Sequence, residues 1–257
     1  EQAENAGLRY GGDVNYMRSA LAFADRLTTV SPTYAEEICS DFYGEHANDI
    51  FNSRRGVLHG ILNGIDTEVL NPRTDPMIPE HYSLRSFKGK EACKAALQER
   101  LGLEVTPYRP IFAIISRLTD QKGMDLVLAI IDEVMQMDVQ FVVLGVGEGK
   151  YEDKFRSMAQ FMPHKFAACL YFDEPLSRQI YAGSDFMIVP SLFEPCGLTQ
   201  ITAMRYGTLP IVRETGGLKD TVQPYNMYDG SGTGFTFANY NAHELLYTMQ
   251  HATDLFY

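Results

Sequence analysis

The chain has 257 residues, 45% of them hydrophobic, and its 22 basic and 33 acidic side chains give a formal net charge of −11. This size allows a full core and fits one large domain, or one domain with part of another. The acidic balance disfavours nucleic acid and anionic membrane surfaces as partners. No apolar run approaches the roughly 20 residues of a membrane span, so we predict no membrane partner.

Four widely separated cysteines, Cys39, Cys93, Cys169 and Cys196, form no CxxC motif, and no histidine pair has metal-ligand spacing. The sequence therefore predicts neither a disulfide framework nor a zinc site, and it favours a reducing cytoplasm. The start of the chain lacks the charged and apolar layout of a signal peptide. It also lacks an initiator methionine, which predicts a fragment or a processed product.

The first sixty residues read as a helix in "NYMRSALAFADR", a strand in "LTTVS", a turn at Pro32 and a second helix in "TYAEEICSDFYG". A strand so isolated needs partners, and we expect those partners to lie outside this chain. We therefore assign residues 1–60 to the end of a preceding domain and residues 61–257 to a second domain. The connection between the two is predicted near residues 59–66.

A proline-rich loop and a helix around "GKEACKAALQERLGL", ending at Gly102, lead into the second domain. From Pro110 onward, apolar runs such as "PIFAIISR", "VQFVVLGVG", "FAACLYF", "DFMIVPS" and "LPIVRE" alternate with helical patterns. Continuous apolar runs are typical of strands buried on both faces. The sequence therefore predicts an α/β fold, a doubly wound, Rossmann-like parallel sheet with helices on both faces. Ligands of such sheets bind at the carboxyl ends of the strands.

Two cations lie in "SRLTDQKG", where Arg117 ends the first strand of this sheet and Lys122 is placed at the start of the following helix. Two positive side chains beside a helix N-terminus suit a bound diphosphate. The alternative is that both are solvated loop charges.

Glu194 lies in "FEPCGLTQ", between an apolar run and a helical pattern. Because a diphosphate at the same edge would repel a carboxylate, we expect Glu194 to face a ligand rich in hydroxyl groups. The backbone amides of Gly197, Leu198 and Thr199 are then predicted to face the phosphates. The alternative is that Glu194 only caps the helix.

Gly216 and Gly217 in "ETGGLKD" follow the next strand, where a glycine pair allows the backbone to approach a ligand closely, although a plain turn explains them nearly as well. Phe172 ends the third strand and either faces a nucleobase or belongs to the core.

The stretch "LGVGEGKYE" has Lys150 where a nicotinamide fingerprint needs its third glycine, and it follows the second strand instead of the first. We therefore predict no dinucleotide cofactor.

Motifs spread along essentially the whole chain carry a family resemblance: "TTVSPTYAEEI", "GILNGIDTEVLNP", "SRLTDQKGMDL" and "PSLFEPCGLTQ" with "YGTLPIVRETGGLKDTV". In them the chain resembles the bacterial glycogen synthase and starch synthase family, retaining glucosyltransferases of the two-domain GT-B architecture. The resemblance implies transfer of glucose from ADP-glucose to the non-reducing end of an α-1,4-glucan such as glycogen. It implies no metal and no further cofactor.

The resemblance also implies roles for individual residues. Arg117 and Lys122 correspond to the pair that neutralises the leaving diphosphate. Glu194 corresponds to the carboxylate near the anomeric carbon, where it favours an oxocarbenium-like transition state. The remaining implied contacts are the sugar-pocket hinge at Asn63, the adenine-stacking position at Phe172, the backbone of Cys196, Gly197, Leu198 and Thr199 around glucose and phosphate, and the neighbouring glycine loop at Gly216 and Gly217.

Two departures from the family pattern limit these expectations. Thr202 stands where many retaining GT-B enzymes carry a second glutamate for the ribose. The family's Lys-Thr-Gly-Gly loop and sugar-contacting histidine would precede Glu1, and its final helix would follow Tyr257. We therefore expect a donor-binding domain with a remnant of the N-terminal domain, which alone binds ADP weakly and synthesises nothing. The alternatives are a nucleotide-sugar 2-epimerase of the same fold and a non-catalytic glycan-binding module.

Overall fold

The computed structural model describes residues 9–10 and 13–257, so the start of the predicted N-terminal remnant lies outside the described residues. Up to residue 60, the chain forms short elements. They are β1 (Arg9–Tyr10), β2 (Asp13–Val14), α1 (Tyr16–Phe23), β3 (Leu27–Thr29), α2 (Pro32–Glu37), α3 (Asn48–Ser53) and β4 (Leu58–Gly60).

Strand β3 pairs in parallel with β4, with Leu27 opposite Leu58. The predicted strand in "LTTVS" is therefore present. The expectation that its partners lie outside the chain was wrong, because β4 of the same chain pairs with one edge of β3. Strand β4 has only three residues, too few for a period-two pattern to be recognised. Gly60 ends this strand against α2, since a Cβ atom there would lie 2.1 Å from the carbonyl oxygen of Ser31.

The rest of the chain alternates helices and strands. They are α4 (Lys88–Leu101), β5 (Ile111–Ile115), α5 (Met124–Val134), β6 (Gln140–Leu144), α6 (Gly149–Phe161), β7 (Phe166–Cys169), α7 (Glu174–Gly183), β8 (Phe186–Val189), α8 (Thr199–Arg205), β9 (Leu209–Arg213), α9 (Gly216–Thr221), β10 (Phe235–Phe237) and α10 (Ala242–Phe256). Helix α4 ends where the sequence predicted, because Gly102 adopts the left-handed conformation with φ 69°.

Six of these strands form one parallel sheet in the order β10-β9-β8-β5-β6-β7. This confirms the predicted doubly wound, Rossmann-like sheet. The chain order of the strands reverses between β5 and β8, and such a switch point opens a crevice at the carboxyl edge. Five of the six strands had been predicted from their apolar runs, and β10 had not.

Both faces of the sheet are buried, as the continuous apolar runs predicted. In β5, Phe112 and Ile114 pack into one core cluster with side chains of α5 and α10, while Ile111 and Ala113 pack into the other with α4 and α7. Alternate residues of β5 thus pack into the cores on opposite faces of the sheet, and this explains why its positions are all apolar. None of the helices in the described part of the chain is both long and apolar enough to cross a membrane.

Candidate functional site

The loops that follow β5 and β8 meet at the switch point of the sheet. Gln121, after β5, donates a side-chain hydrogen bond of 3.2 Å to the carbonyl oxygen of Phe193, after β8. Its own carbonyl oxygen accepts from the amide of Leu192 at 2.9 Å. These reciprocal bonds hold the two candidate motifs, "SRLTDQKG" and "FEPCGLTQ", against one another.

Lys122 and Glu194 form an ion pair across this junction, with Nζ 2.6 Å from Oε2. The same oxygen accepts a hydrogen bond of 3.0 Å from Ser191 Oγ. The Glu194 side chain is 9% exposed and the Lys122 side chain 20% exposed, so little water screens their attraction. Leu198 is the N-cap residue of α8 and no side chain caps that helix, so the alternative of a capping Glu194 was wrong.

Arg117 lies on the other side of the same loop. Its side chain is exposed and donates a hydrogen bond of 3.1 Å to Gln121 Oε1. Arg117 forms no ion pair with a described carboxylate, whereas the charge of Lys122 is matched by Glu194. Lys122 ends a 3-10 turn and α5 begins at Met124, so Lys122 precedes the helix instead of beginning it.

The turn that carries Lys122 is anchored through Asp120. The Asp120 carboxylate accepts hydrogen bonds from Lys150 Nζ at 2.8 Å and from the Tyr151 hydroxyl, and these bonds lower the pKa of Asp120. Tyr240 donates to the carbonyl oxygen of Asp120 at 3.1 Å. The position of the Lys122 ammonium therefore depends on side chains of α6 and of the loop before α10.

Two cavities adjoin at this edge and share Ile115 and Ser116 as lining residues. One, of about 70 Å³, is lined by Lys122, Glu194, Gly197, Leu198 and Thr199. The other, of about 280 Å³, is lined by Arg117, Tyr171 and Phe172. Phe172 is 89% exposed, so its alternative assignment to the core was wrong. An exposed ring at the rim of a cavity suits stacking against a flat ligand.

Gln200 fixes the loop between Glu194 and α8. Its side chain is fully buried, and Nε2 donates to the carbonyl oxygens of Cys196 at 2.9 Å and Gly197 at 2.8 Å. Gly197 has φ 71°, a left-handed backbone conformation that favours glycine. Gln200 ends the stretch "FEPCGLTQ" but was not among the predicted site residues.

The glycine pair packs against this same loop. The Gly217 amide donates to the carbonyl oxygen of Glu194 at 3.0 Å, and a Cβ atom on Gly216 would lie 2.1 Å from that oxygen. A Cβ atom on Gly217 would lie 2.2 Å from the carbonyl oxygen of Cys196. The close approach that these glycines allow is thus to protein backbone, and a ligand contact at this pair stays a prediction.

The remaining candidates are less central. Asn63 lies exposed in the segment after β4 and lines neither cavity, so its assignment to the sugar pocket stays a prediction. Arg213, which the sequence analysis missed, is buried and donates to the carbonyl oxygens of Ser191, at 2.8 Å, and Leu192. Within the described ranges, no group of three or more His, Cys, Asp or Glu side chains is placed to hold a metal ion.

A six-stranded, doubly wound parallel sheet with an ion pair and two cavities at its switch point defines a Rossmann-like α/β domain with a candidate ligand site. The family described as "Glycosyl transferases group 1" matches residues 102–253. The family described as "Starch synthase catalytic domain" matches residues 1–53. The chain belongs to the group 1 glycosyl transferases.

Curated relatives named glycogen synthase match nearly the whole chain. The protein of Lachnospira eligens is 52% identical over 246 residues, which cover 95% of this chain and 52% of that protein. The protein of Geobacillus stearothermophilus is 49% identical over 249 residues, or 97% of this chain and 51% of that protein. The resemblance to the glycogen and starch synthases is therefore confirmed, and the chain spans about half the length of the curated relatives it matches.

Solved structures agree with this placement. The catalytic domain of starch synthase IV from Arabidopsis thaliana, bound to ADP and acarbose, is 39% identical with a TM-score of 0.89, over 96% of this chain and 52% of that one. A sucrose-phosphate synthase from Thermosynechococcus elongatus is 20% identical with a TM-score of 0.61, over 95% and 54% of the two chains. The second likeness supports the fold alone.

Proposed function

We propose that this chain is the donor-binding part of a glycogen or starch synthase. The enzyme transfers glucose from ADP-glucose to the non-reducing end of an α-1,4-glucan with retention of configuration. The observation that carries the proposal is the Lys122–Glu194 ion pair at the switch point, beside a cavity with aromatic side chains at its rim. The names of the relatives and the ADP in the starch synthase structure support this assignment.

Arg117 and Lys122 bind the diphosphate and stabilise the negative charge that develops as it leaves. Lys122 reaches this role by exchanging partners, because a diphosphate in the small cavity competes with Glu194 for the ammonium group. Gly197, Leu198 and Thr199 line the same cavity, and their backbone amides add hydrogen bonds to the phosphates. No metal or further cofactor is required in this scheme.

Glu194 acts on the sugar. Released from Lys122, its carboxylate faces the glucosyl hydroxyl groups and favours the positive charge of an oxocarbenium-like transition state. Ser191 keeps its hydrogen bond to the same carboxylate oxygen and so fixes the direction of the group. The Cys196 backbone and Asn63 complete the sugar pocket, and Gly216 and Gly217 hold the Glu194 loop from behind.

The nucleoside occupies the larger cavity, where adenine stacks on Phe172. Tyr171, which is 49% exposed, forms another part of the aromatic rim. Thr202 is buried in α8 and carries no charge, so the ribose is bound without the second carboxylate of related enzymes.

We assign residues 61–257 to the donor domain and residues 1–60 to the end of the acceptor-side domain. Because the chain spans about half the length of its relatives, we expect it to bind ADP weakly and to elongate no glucan by itself. All four cysteines are buried and free, which supports a cytoplasmic location.

Titration of the chain with ADP and with UDP, followed by thermal unfolding, tests the proposal. We expect ADP to raise the unfolding temperature more than UDP does, because ligand binding stabilises the folded state. A preference for UDP would favour a nucleotide-sugar 2-epimerase, and glycogen binding without any nucleotide effect would favour a glycan-binding module. Measurable glucan elongation by the 257-residue chain would contradict its expected inactivity.

A further inference from the structure

Helices α2 and α9 bind each other through their ends. Asp220, in α9, accepts hydrogen bonds from Thr33 at the start of α2, with the backbone amide at 3.0 Å and Oγ1 at 2.5 Å. It also accepts from the hydroxyl of Ser31, the N-cap residue of α2, at 2.5 Å. A carboxylate is favoured here because the first amides of a helix lack partners within the helix.

At the other end of this contact, Glu37 of α2 meets the start of α9. Its Oε1 accepts from the Gly216 amide at 2.9 Å and from Thr215 Oγ1 at 3.0 Å. Gly216 has φ 44°, a left-handed conformation that depends on the contacts around it. The next amide, of Gly217, donates to the carbonyl oxygen of Glu194. Two hydrogen bonds, joined by the peptide backbone of Gly216 and Gly217, thus connect Glu37 with the residue proposed to act on the sugar.

The second oxygen of Glu37 adds an independent observation. Oε2 is buried and has no hydrogen-bond partner among the described residues. Burying an acceptor without a partner costs stability. Both hydrogen bonds to the glycine loop are therefore accepted by Oε1 alone, so the contact requires one acceptor oxygen and not the second oxygen of the carboxylate.

We propose that Glu37 is a positioning residue, which fixes Gly216 and Gly217 and through them the backbone of Glu194. The positioning of the Glu194 backbone follows from the hydrogen bonds described above. Its effect on glucosyl transfer rests on the proposed function. It couples α2, in the segment assigned to the acceptor-side domain, to the donor site. Any displacement of α2 relative to α9 is therefore transmitted to the Glu194 loop.

Steady-state kinetics of the full-length enzyme that contains this sequence, called the long protein below, test the coupling. We expect Glu37→Ala to lower kcat for glucosyl transfer at least tenfold while the donor KM changes less than twofold. Glu37→Gln should keep most of the activity, because its carbonyl oxygen still accepts from the Gly216 amide. Glu36→Ala is the matched control, since Glu36 lies on the same helix, its side chain is 74% exposed, and it forms an ion pair with Arg55.

Equal activities for Glu37→Ala and Glu36→Ala would overturn the inference. A loss as large in Glu37→Gln as in Glu37→Ala would also overturn it, because the carboxylate charge would then matter instead of the acceptor. Thr215→Val removes one of the two donors to Glu37 with little change of shape, and it carries the same test if Glu37→Ala does not fold.

Hydrogen exchange in the 257-residue chain separates this inference from the proposed function, because it requires no activity. We expect Glu37→Ala to speed exchange in residues 190–199 and 214–221, and Glu36→Ala to leave both segments unchanged. Unchanged exchange in both variants would contradict the positioning role. If the unsubstituted long protein transfers no glucose, the proposed function fails while the exchange result still decides the role of Glu37.

Discussion

At the scale of single residues, the ion pair between Lys122 and Glu194 explains how an acidic chain keeps a buried carboxylate beside a proposed phosphate site. The ammonium group and the Ser191 hydroxyl satisfy Glu194 Oε2 in a poorly hydrated position. In the proposed function, a diphosphate replaces Glu194 as the partner of Lys122 because it carries a stronger negative charge. One contact thus contributes to stability and prepares the donor site.

Removing Lys122 should reveal the stabilising part of this contact. We expect Lys122→Met to lower the free energy of unfolding by about 3 kcal/mol, because it leaves a buried carboxylate without its counter-charge. Adding Glu194→Gln should restore part of the loss, which a double-mutant cycle in urea measures. Lys154→Met, which breaks an exposed pair with Asp132, is the control and should change stability little. Equal losses in the two single variants would contradict a buried pair.

Substitution of Glu194 should impair glucosyl transfer without weakening nucleotide binding. Glu194→Gln removes the charge that we propose to face the sugar, so we expect glucosyl transfer in the full-length enzyme to fall by about 100-fold. ADP affinity should be unchanged or higher, because Lys122 no longer has a competing partner. Isothermal titration together with a transfer assay measures both quantities. A large loss of ADP affinity would place Glu194 at the phosphates instead of the sugar.

At the scale of elements, Lys90 joins α4 to the ends of α7 and α8. Its Nζ donates to Ala182 O at 3.1 Å, Ser184 O at 3.0 Å and Tyr206 O at 3.1 Å. Burial disfavours the ammonium form and lowers the pKa of Lys90 from 10.5 to about 8. Between these pH values the unfolded chain binds a proton that the folded chain does not, so stability rises with pH.

This linkage predicts a pH dependence that a single substitution removes. From pH 8 to pH 10, the free energy of unfolding should rise by about 2 kcal/mol relative to Lys90→Met. The series stops at pH 10 because burial raises the pKa of Tyr206, whose effect on stability has the opposite sign at higher pH. Urea unfolding at several pH values provides the measurement. Parallel pH profiles for the two proteins would show that Lys90 is not desolvated.

Elements with a strong pattern could be predicted from the sequence, and those without one could not. The five strands from β5 to β9 have continuous apolar runs that indicate two buried faces. Strand β10 has three residues and follows "GSGTG", so its pattern is too short to distinguish from a loop. Strand β4 is equally short, and its absence from the prediction led to the wrong expectation about the partner of β3.

At the scale of the whole molecule, topology made the edge of the candidate site predictable. Arg117, Lys122 and Glu194 each follow a strand of one parallel sheet, so their motifs had to meet at its carboxyl edge. The sequence did not predict that Lys122 pairs with Glu194, because side-chain pairing depends on the packing of two loops. Glu37 was also missed, since it lies 179 positions from Gly216 and no local pattern connects them.

The central claim is that Arg117 and Lys122 hold a nucleoside diphosphate by its phosphates, and nuclear magnetic resonance titration with ADP and AMP tests it most directly. If the two cations contact the second phosphate, Arg117→Gln combined with Lys122→Gln should weaken ADP binding about tenfold or more and change AMP binding much less. Unchanged ADP affinity, or equal losses for ADP and AMP, would contradict the account.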